Sequence, residues 1–180
     1  SVRRVSGSMV ANGDIGGNDG LPIDPLFAWS PDGGLIAFRA DSVVNTTTQL
    51  FLADPGAGTV TPVSLNTGSF QRVFDFAWSP DGAWLAYIAP EDIEGAVELY
   101  LVNPALTDRR KLSTPAASSD EDVFSGIAWS PDSSLVAYLA DRDPTRDQVV
   151  ELFVAPVDGV PVRVSGTLVE GGDVVEFLLD

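Results

Sequence analysis

The chain lacks two residue types that carry much of enzyme chemistry, because its 180 residues include neither cysteine nor histidine. Without cysteine there are no disulfides, thiolate nucleophiles or zinc–thiolate sites. Without histidine, neither a Ser-His-Asp nor a Cys-His catalytic arrangement can be assembled from this chain alone, and histidine-ligated metals are excluded. The sequence therefore predicts no catalytic residues, and we expect that the chain is not an enzyme.

Basic residues are also scarce. Ten lysines and arginines stand against 26 aspartates and glutamates, which gives a formal net charge of −16. Such a chain repels phosphate backbones and anionic headgroups, so we expect no nucleic acid among its partners. No apolar run approaches the ~20 residues that cross a bilayer, so we expect no membrane insertion, and we recognise no export leader. Hydrophobic residues make up 44% of the chain, which is enough for a folded core.

What the sequence does contain is one segment that occurs three times. It reads FAWSPDGGLIAFRAD from Phe27, FAWSPDGAWLAYIAP from Phe76 and IAWSPDSSLVAYLAD from Ile127, at a spacing of about 50 residues. A period of this size is typical of stacked copies of one supersecondary unit, none of which can bury its apolar face alone. The sequence therefore predicts a repeat protein.

The second copy shows what one unit contains. Alternating segments rich in aromatic and β-branched residues predict four strands, at 72–79, 83–89, 97–103 and 109–113. The segment Ser79-Pro80-Asp81-Gly82 has the signature of a type I turn, in which proline presets φ and glycine closes the turn. Four antiparallel strands at this period are typical of a β-propeller blade. We therefore predict an all-β fold of three four-stranded blades, with partial blades at both ends.

The repeated segment resembles a known family. The pattern W-S-P-D-G-x-x-L/I/V-A-F/Y is similar to the repeat of TolB-like (WD-like) β-propellers, and the first two copies have it in full, whereas Ser133 replaces the glycine in the third. The resemblance implies a propeller fold and a periplasmic or secreted bacterial setting. Blades of this kind occur in scaffolds, in lytic enzymes and in domains that cap serine peptidases, so the resemblance is specific for the fold and not for the activity.

The ends of the chain are similar to pieces of a blade. We divide the single repeat domain into a partial blade at 1–20, blades at about 21–66, 70–114 and 121–166, and a partial blade at 167–180. Propellers close with about 4–8 blades, so three blades do not form a ring. Either the chain is a fragment of a longer propeller, or two chains associate head to tail into a closed ring.

Conspicuous residues of the repeats have simple structural interpretations. The recurring Asp32, Asp81 and Asp132 suit a turn, because an aspartate there hydrogen-bonds the local backbone. The recurring tryptophans are expected to pack between blades, whereas Trp84 is expected to be exposed.

Acidic residues gather in the loops on one face of the predicted blades. We predict that this face binds a partner through Glu91, Asp92, Glu94, Asp120, Glu121 and Asp122. A second group, Asp141, Asp143 and Asp147, is a candidate calcium site, since clustered carboxylates can chelate a hard cation. The same acids can equally form a solvated rim. No other cofactor is expected.

The leading functional interpretation is a non-enzymatic β-propeller module that binds or scaffolds a protein or other macromolecule. One alternative is an accessory propeller domain of a larger, peptidase-type hydrolase whose catalytic residues lie outside this chain. Another is a structural role in which the open blade ends self-associate into a closed ring, which would make the chain a homo-oligomer.

Overall fold

The computed structural model describes residues 4, 6, 26–41, 47–65, 72–91, 96–114, 122–124, 126–142, 149–166, 168 and 173–174. The proposed partial blades at 1–20 and 167–180 lie almost entirely outside these residues, so their boundaries stay predictions. No helix in the described part of the chain is long and apolar enough to span a bilayer.

The described residues form twelve strands in three four-stranded antiparallel sheets, each a simple meander. This confirms the predicted all-β propeller blades. Most strands are shorter than the sequence pattern suggests. They are β1 (Phe27–Trp29), β2 (Ile36–Ala40), β3 (Gln49–Asp54) and β4 (Thr59–Pro62) in blade 1, β5 (Asp75–Trp78), β6 (Leu85–Ala89), β7 (Glu98–Val102) and β8 (Arg109–Lys111) in blade 2, and β9 (Ala128–Trp129), β10 (Leu135–Ala140), β11 (Glu151–Pro156) and β12 (Val162–Arg163) in blade 3.

The turn between the first two strands of each blade is held by its own side chains. In blade 2 the Ser79 hydroxyl donates to Asp81 Oδ1 at 2.6 Å and accepts from the Trp84 N–H at 2.9 Å. The Gly82 N–H closes the turn onto the Ser79 carbonyl at 2.9 Å. Blades 1 and 3 repeat the Ser–Asp bond at 2.6 Å. The turn role predicted for the recurring aspartates is therefore confirmed.

Blades pack face to face, because alternation along a strand sends successive side chains to opposite sides of the sheet. We call the face that carries the repeated tryptophan the leading face and the opposite one the trailing face. In blade 2 the leading face includes Phe76, Trp78, Leu85, Tyr87 and Tyr100. It packs on a trailing face of blade 1 formed by Ala28, Leu35, Ala37, Leu50 and Leu52. A second apolar cluster joins blades 2 and 3 in the same way.

The tryptophans mark these junctions. The indole N–H of Trp78 donates to the Ala28 carbonyl at 3.4 Å, and that of Trp129 donates to the Ala77 carbonyl at 3.2 Å. Packing between blades is thus confirmed for two of the three, whereas Trp29 is 53% exposed. The prediction that Trp84 is exposed is wrong, because it packs against the second cluster with the Arg110 guanidinium 4.6 Å above its ring.

Candidate functional site

Glu91, which we predicted on an exposed partner-binding face, is not available there. Its side chain is 2% exposed and pairs with Arg109 at 3.0 Å. The Leu65 N–H and the Tyr87 hydroxyl donate to its other oxygen at 2.6 and 3.1 Å. Arg109 in turn donates to the Val63 carbonyl of blade 1. These contacts hold blades 1 and 2 together, and burial lowers the pKa of Arg109 because it penalises the charged guanidinium.

Asp122 and Asp141 also serve the fold. The Asp122 carboxylate accepts the Val97 N–H at 2.8 Å, beside the start of β7. The Asp141 backbone N–H donates to the Asp122 carbonyl at 2.9 Å, and Asp141 is buried. Within the described residues no group of three or more potential metal ligands is close enough to hold an ion.

The other predicted site residues lie outside the described part of the chain. They are Asp92, Glu94, Asp120, Glu121, Asp143 and Asp147. The calcium site and the acidic partner-binding face therefore stay predictions. One described residue of the predicted calcium site, Asp141, and two of the predicted face, Glu91 and Asp122, make hydrogen bonds within the blades.

A buried polar cluster that the sequence analysis missed lies at the junction of blades 2 and 3. The Glu98 carboxylate is 1% exposed and pairs with Arg142 of blade 3 at 2.6 Å. Lys111 lies 3.5 Å from its other oxygen, and the Ser113 hydroxyl donates to the carboxylate. Because Glu98 begins β7 and Arg142 follows β10, this cluster fixes blade 3 on blade 2 at the loop end of the junction.

The same position differs in charge from blade to blade. Gln49 begins β3 and Glu151 begins β11, where it pairs with Arg163 at 2.7 Å. All three residues are buried. A polar residue aligned in three copies at the start of an otherwise apolar strand was the signal that could have revealed this cluster.

A second acidic group tied to a junction lies on the innermost strands. Asp75 at the start of β5 accepts the N–H groups of Gly126 and Ile127 at 2.9 and 3.2 Å. Burial raises the pKa of Asp75, and its hydrogen bonds and Arg39 offset only part of that effect. The carboxylate thus anchors the start of the first strand of blade 3 to blade 2.

The leading face of blade 1 is open where the innermost strand runs. Trp29 is exposed and Phe27 is 60% exposed, whereas Phe76, the equivalent of Phe27 in blade 2, is 1% exposed. The outer part of this face is different, because Phe38 and Phe51 stack at 5.4 Å and are buried. The open area is therefore an aromatic edge beside the WSPDG turn.

The trailing face of blade 3 is open as well and contains a cleft of about 410 Å³. Strand register places Ala128, Ala137, Val154 and Val162 side by side on this face. Leu135 at its edge is 38% exposed. The cleft is lined by Ala128, Trp129, Ser130, Pro131, Leu135, Ala137 and Val154. It lies where, in blade 1, the trailing face receives the leading face of blade 2.

The arrangement of these blades is similar to that in known propellers. TolB from Acinetobacter baumannii superposes with a TM-score of 0.55 at 15% identity, over 82% of this chain and 34% of that one. The chain has a TolB-like β-propeller fold. No protein-family model and no curated protein matches the sequence.

The TolB-like fold also occurs within enzymes. A prolyl endopeptidase structure is similar at a TM-score of 0.56 and 15% identity, over 78% of this chain and 22% of that one. An oligogalacturonate lyase in complex with manganese is similar at 0.54 and 16%, over 76% and 38%. The chain spans between about a fifth and two fifths of the length of these proteins. Its TolB-like blades thus correspond to part of a larger architecture in each case.

Proposed function

We propose that the chain is a non-enzymatic β-propeller module that binds another protein through the open faces of its outer blades. One observation carries the proposal, namely that the open edge of blade 1 and the open face of blade 3 correspond in position to surfaces that are buried at the junctions inside the chain. An apolar surface of this kind marks a protein interaction site. The extracytoplasmic setting is supported by the resemblance of the repeats to TolB-like blades and by the similarity to TolB.

The chemistry of the open faces favours a protein over a small molecule. The blade 3 cleft is lined mainly by apolar side chains, and the open edge of blade 1 offers Phe27 and Trp29. Inside the chain, the corresponding apolar surface of blade 2 packs against the β-sheet of blade 3. One indole N–H of blade 3 also donates to a backbone carbonyl of blade 2. A partner that presents a similar sheet therefore supplies both the apolar cover and the hydrogen bond.

An apolar dye tests whether the open faces are accessible. The uncharged dye Nile red, with the chain at about 1 µM to limit association, should bind the trailing face of blade 3. Leu135→Lys should reduce the fluorescence, because it places a charge at the edge of the cleft. Val160→Lys is the matched control, since Val160 is 78% exposed between β11 and β12 and does not line the cleft. No dye binding, or equal loss in both variants, would contradict the proposal.

A second candidate is an accessory propeller domain of a larger hydrolase, favoured by the similarity to a prolyl endopeptidase. This chain lacks histidine, so the catalytic groups would lie on another segment. A fluorophosphonate probe, which labels activated serines, applied to the natural full-length protein distinguishes the two. Labelling would support the hydrolase, and absence of labelling together with Nile red binding would support the binding module.

A further inference from the structure

We infer that the charges at the loop end of each junction specify which blade packs on which, so that the three blades are not interchangeable. The inference concerns the two junctions inside the described chain and holds whatever covers the outer faces. Repeat proteins are prone to misassembly, because copies of one unit present similar apolar faces and can pack on the wrong neighbour. Discrimination between neighbours then requires groups that fit one of them and oppose the others.

Two aligned positions in each blade decide the match. We call the first residue of the third strand the strand-start position, which is Gln49 in blade 1 and Glu98 in blade 2. We call the second residue after the second strand the loop position, which is Glu91 in blade 2 and Arg142 in blade 3. The loop position of one blade lies against the loop end of the blade before it.

At the junction of blades 2 and 3 the two positions carry opposite charges. Arg142 Nη2 lies 2.6 Å from Glu98 Oε2, and the two side chains are 6% and 1% exposed. The Ser113 hydroxyl, just past β8, donates to the same carboxylate. Because removal of one member of a buried pair leaves the other charge uncompensated, this site accepts a basic residue from the next blade and opposes an acidic or neutral one.

At the junction of blades 1 and 2 the loop position has the opposite sign. The Glu91 carboxylate accepts the Leu65 N–H of blade 1 at 2.6 Å. The preceding residue, Ser64, accepts a third-strand N–H just as Ser113 does in blade 2, so Glu91 reaches the same part of its neighbour as Arg142 does. The strand-start residue of that neighbour is the buried, neutral Gln49. Blade 1 therefore receives an acid without burying a second negative charge.

The two combinations exclude each other. Blade 3 packed on blade 1 would bury Arg142 against the amide of Gln49. Blade 2 packed on a second blade 2 would bring Glu91 to Glu98. Blade 2 packed on blade 3 would bring Glu91 to Glu151, the strand-start residue there, which is 2% exposed. Each wrong neighbour thus leaves a buried charge beside a neutral group or a like charge, which opposes the apolar contact.

Urea unfolding of matched variants tests this charge matching. Arg142→Glu places an acid opposite Glu98, so its midpoint should fall below that of Arg142→Met, which adds no repulsion. Glu98→Gln alone leaves Arg142 facing an amide and should lower the midpoint of the unmodified chain. The combination of Arg142→Glu and Glu98→Gln reproduces the Glu91 and Gln49 combination of the first junction. We therefore expect Glu98→Gln to raise the midpoint of Arg142→Glu, so that the same substitution has opposite signs in the two backgrounds.

Arg163→Glu is the matched control, because it makes the same charge change within blade 3 at a residue that pairs with Glu151. Glu98→Gln should lower the midpoint of this control as it lowers that of the unmodified chain. If Glu98→Gln has the same sign in all three backgrounds, the junction is not charge-matched and the inference fails. If Arg142→Glu does not fold, folding of its combination with Glu98→Gln supports the matching, and failure of both overturns it.

Refolding tests whether the match also sets blade order. Each variant is diluted from urea to about 1 µM and the products are separated by size, since blades that pack on the wrong neighbour join different chains. Arg142→Glu should give a larger share of oligomers than the unmodified chain, and Glu98→Gln should reverse that increase. The control Arg163→Glu should show no such reversal. If the sign change in stability appears but the oligomer share is equal in all variants, the charges do not select the neighbour and the inference is overturned.

Discussion

Removing Arg142 should reveal how strongly the junction between blades 2 and 3 depends on its buried ion pair. Arg142→Met deletes the guanidinium that lies 2.6 Å from Glu98 and retains most of the apolar length of the side chain. The Glu98 carboxylate, 1% exposed, is then left with a weaker set of partners. Leaving a buried charge without its counterion costs about 3–5 kcal/mol.

The remaining contacts place the expected value at the lower end of that range. Lys111 stays 3.5 Å from the other carboxylate oxygen and the Ser113 hydroxyl still donates. We therefore expect a loss of about 3 kcal/mol in the free energy of unfolding. With a urea m-value of about 2 kcal/mol/M, the midpoint falls by about 1.5 M. Lys111→Met, the matched control at the same carboxylate, should cost only about 1 kcal/mol because that cation is more distant and more exposed.

A second substitution separates the charge effect from loss of packing. Blade 1 has a neutral Gln49 at this position, which shows that an amide is compatible with it. Glu98→Gln combined with Arg142→Met should therefore regain most of the loss and unfold within about 1 kcal/mol of the unmodified chain. Both variants are measured by urea titration followed by tryptophan fluorescence. If the double variant is as unstable as Arg142→Met alone, the uncompensated charge is not the cause and the reasoning fails.

Further predictions concern single positions. Burial raises the pKa of Asp75 above its usual 3.8, so the stability of the unmodified chain relative to Asp75→Asn should increase as the pH falls from neutral toward 3.8. The Ser130 and Ser134 contacts lower the pKa of Asp132 to about 2, so Asp132→Asn should be less stable at neutral pH, with the difference fading between about pH 4 and 2; flat pH profiles would contradict both. Ser133 holds a φ of 61°, so Ser133→Gly should be more stable than Ser133→Ala by about 1 kcal/mol in urea unfolding, and the opposite order would refute backbone strain there. If calcium binds the acidic loop, it should raise the melting temperature more than sodium chloride at equal ionic strength, and Asp143→Asn with Asp147→Asn should remove the excess; equal shifts would exclude a specific site.

The local signals of the repeat were sufficient to predict the blades. A Ser-Pro-Asp turn followed by an apolar strand has few alternatives, because its hydrogen bonds join residues at most five positions apart. Because these contacts are local, the turn, the order of the strands and their positions could be predicted from the sequence. Most predicted strands are longer than the observed ones, because the strand propensity of the sequence continues past the last residue that pairs with the neighbouring strand.

The candidate site was harder to predict, because burial depends on the neighbouring blade. Glu91 stands in an acidic loop segment of the sequence and was therefore expected in solvent. Arg109, 18 positions away, and the Leu65 N–H of the preceding blade bury it instead. In the same way the three tryptophans are identical in the repeat, yet Trp29 is exposed because blade 1 has no blade on its leading side among the described residues. The periodic sequence pattern therefore does not predict which copy of the tryptophan is exposed.

The order in which blades contact one another has a consequence for hydrogen exchange. Blade 2 is the one blade in the described structure with a neighbour on both faces, and every residue of β6 and β7 is buried. In contrast, two of the three residues of the inner strand β1 and both residues of the outer strand β12 are exposed. Amide hydrogens of β1 and β12 can exchange by local opening of one edge, whereas those of β6 and β7 become accessible only when two junctions separate. The slowest amides in the middle blade therefore report the stability of the whole assembly of blades, and the fastest ones report the opening of its two ends.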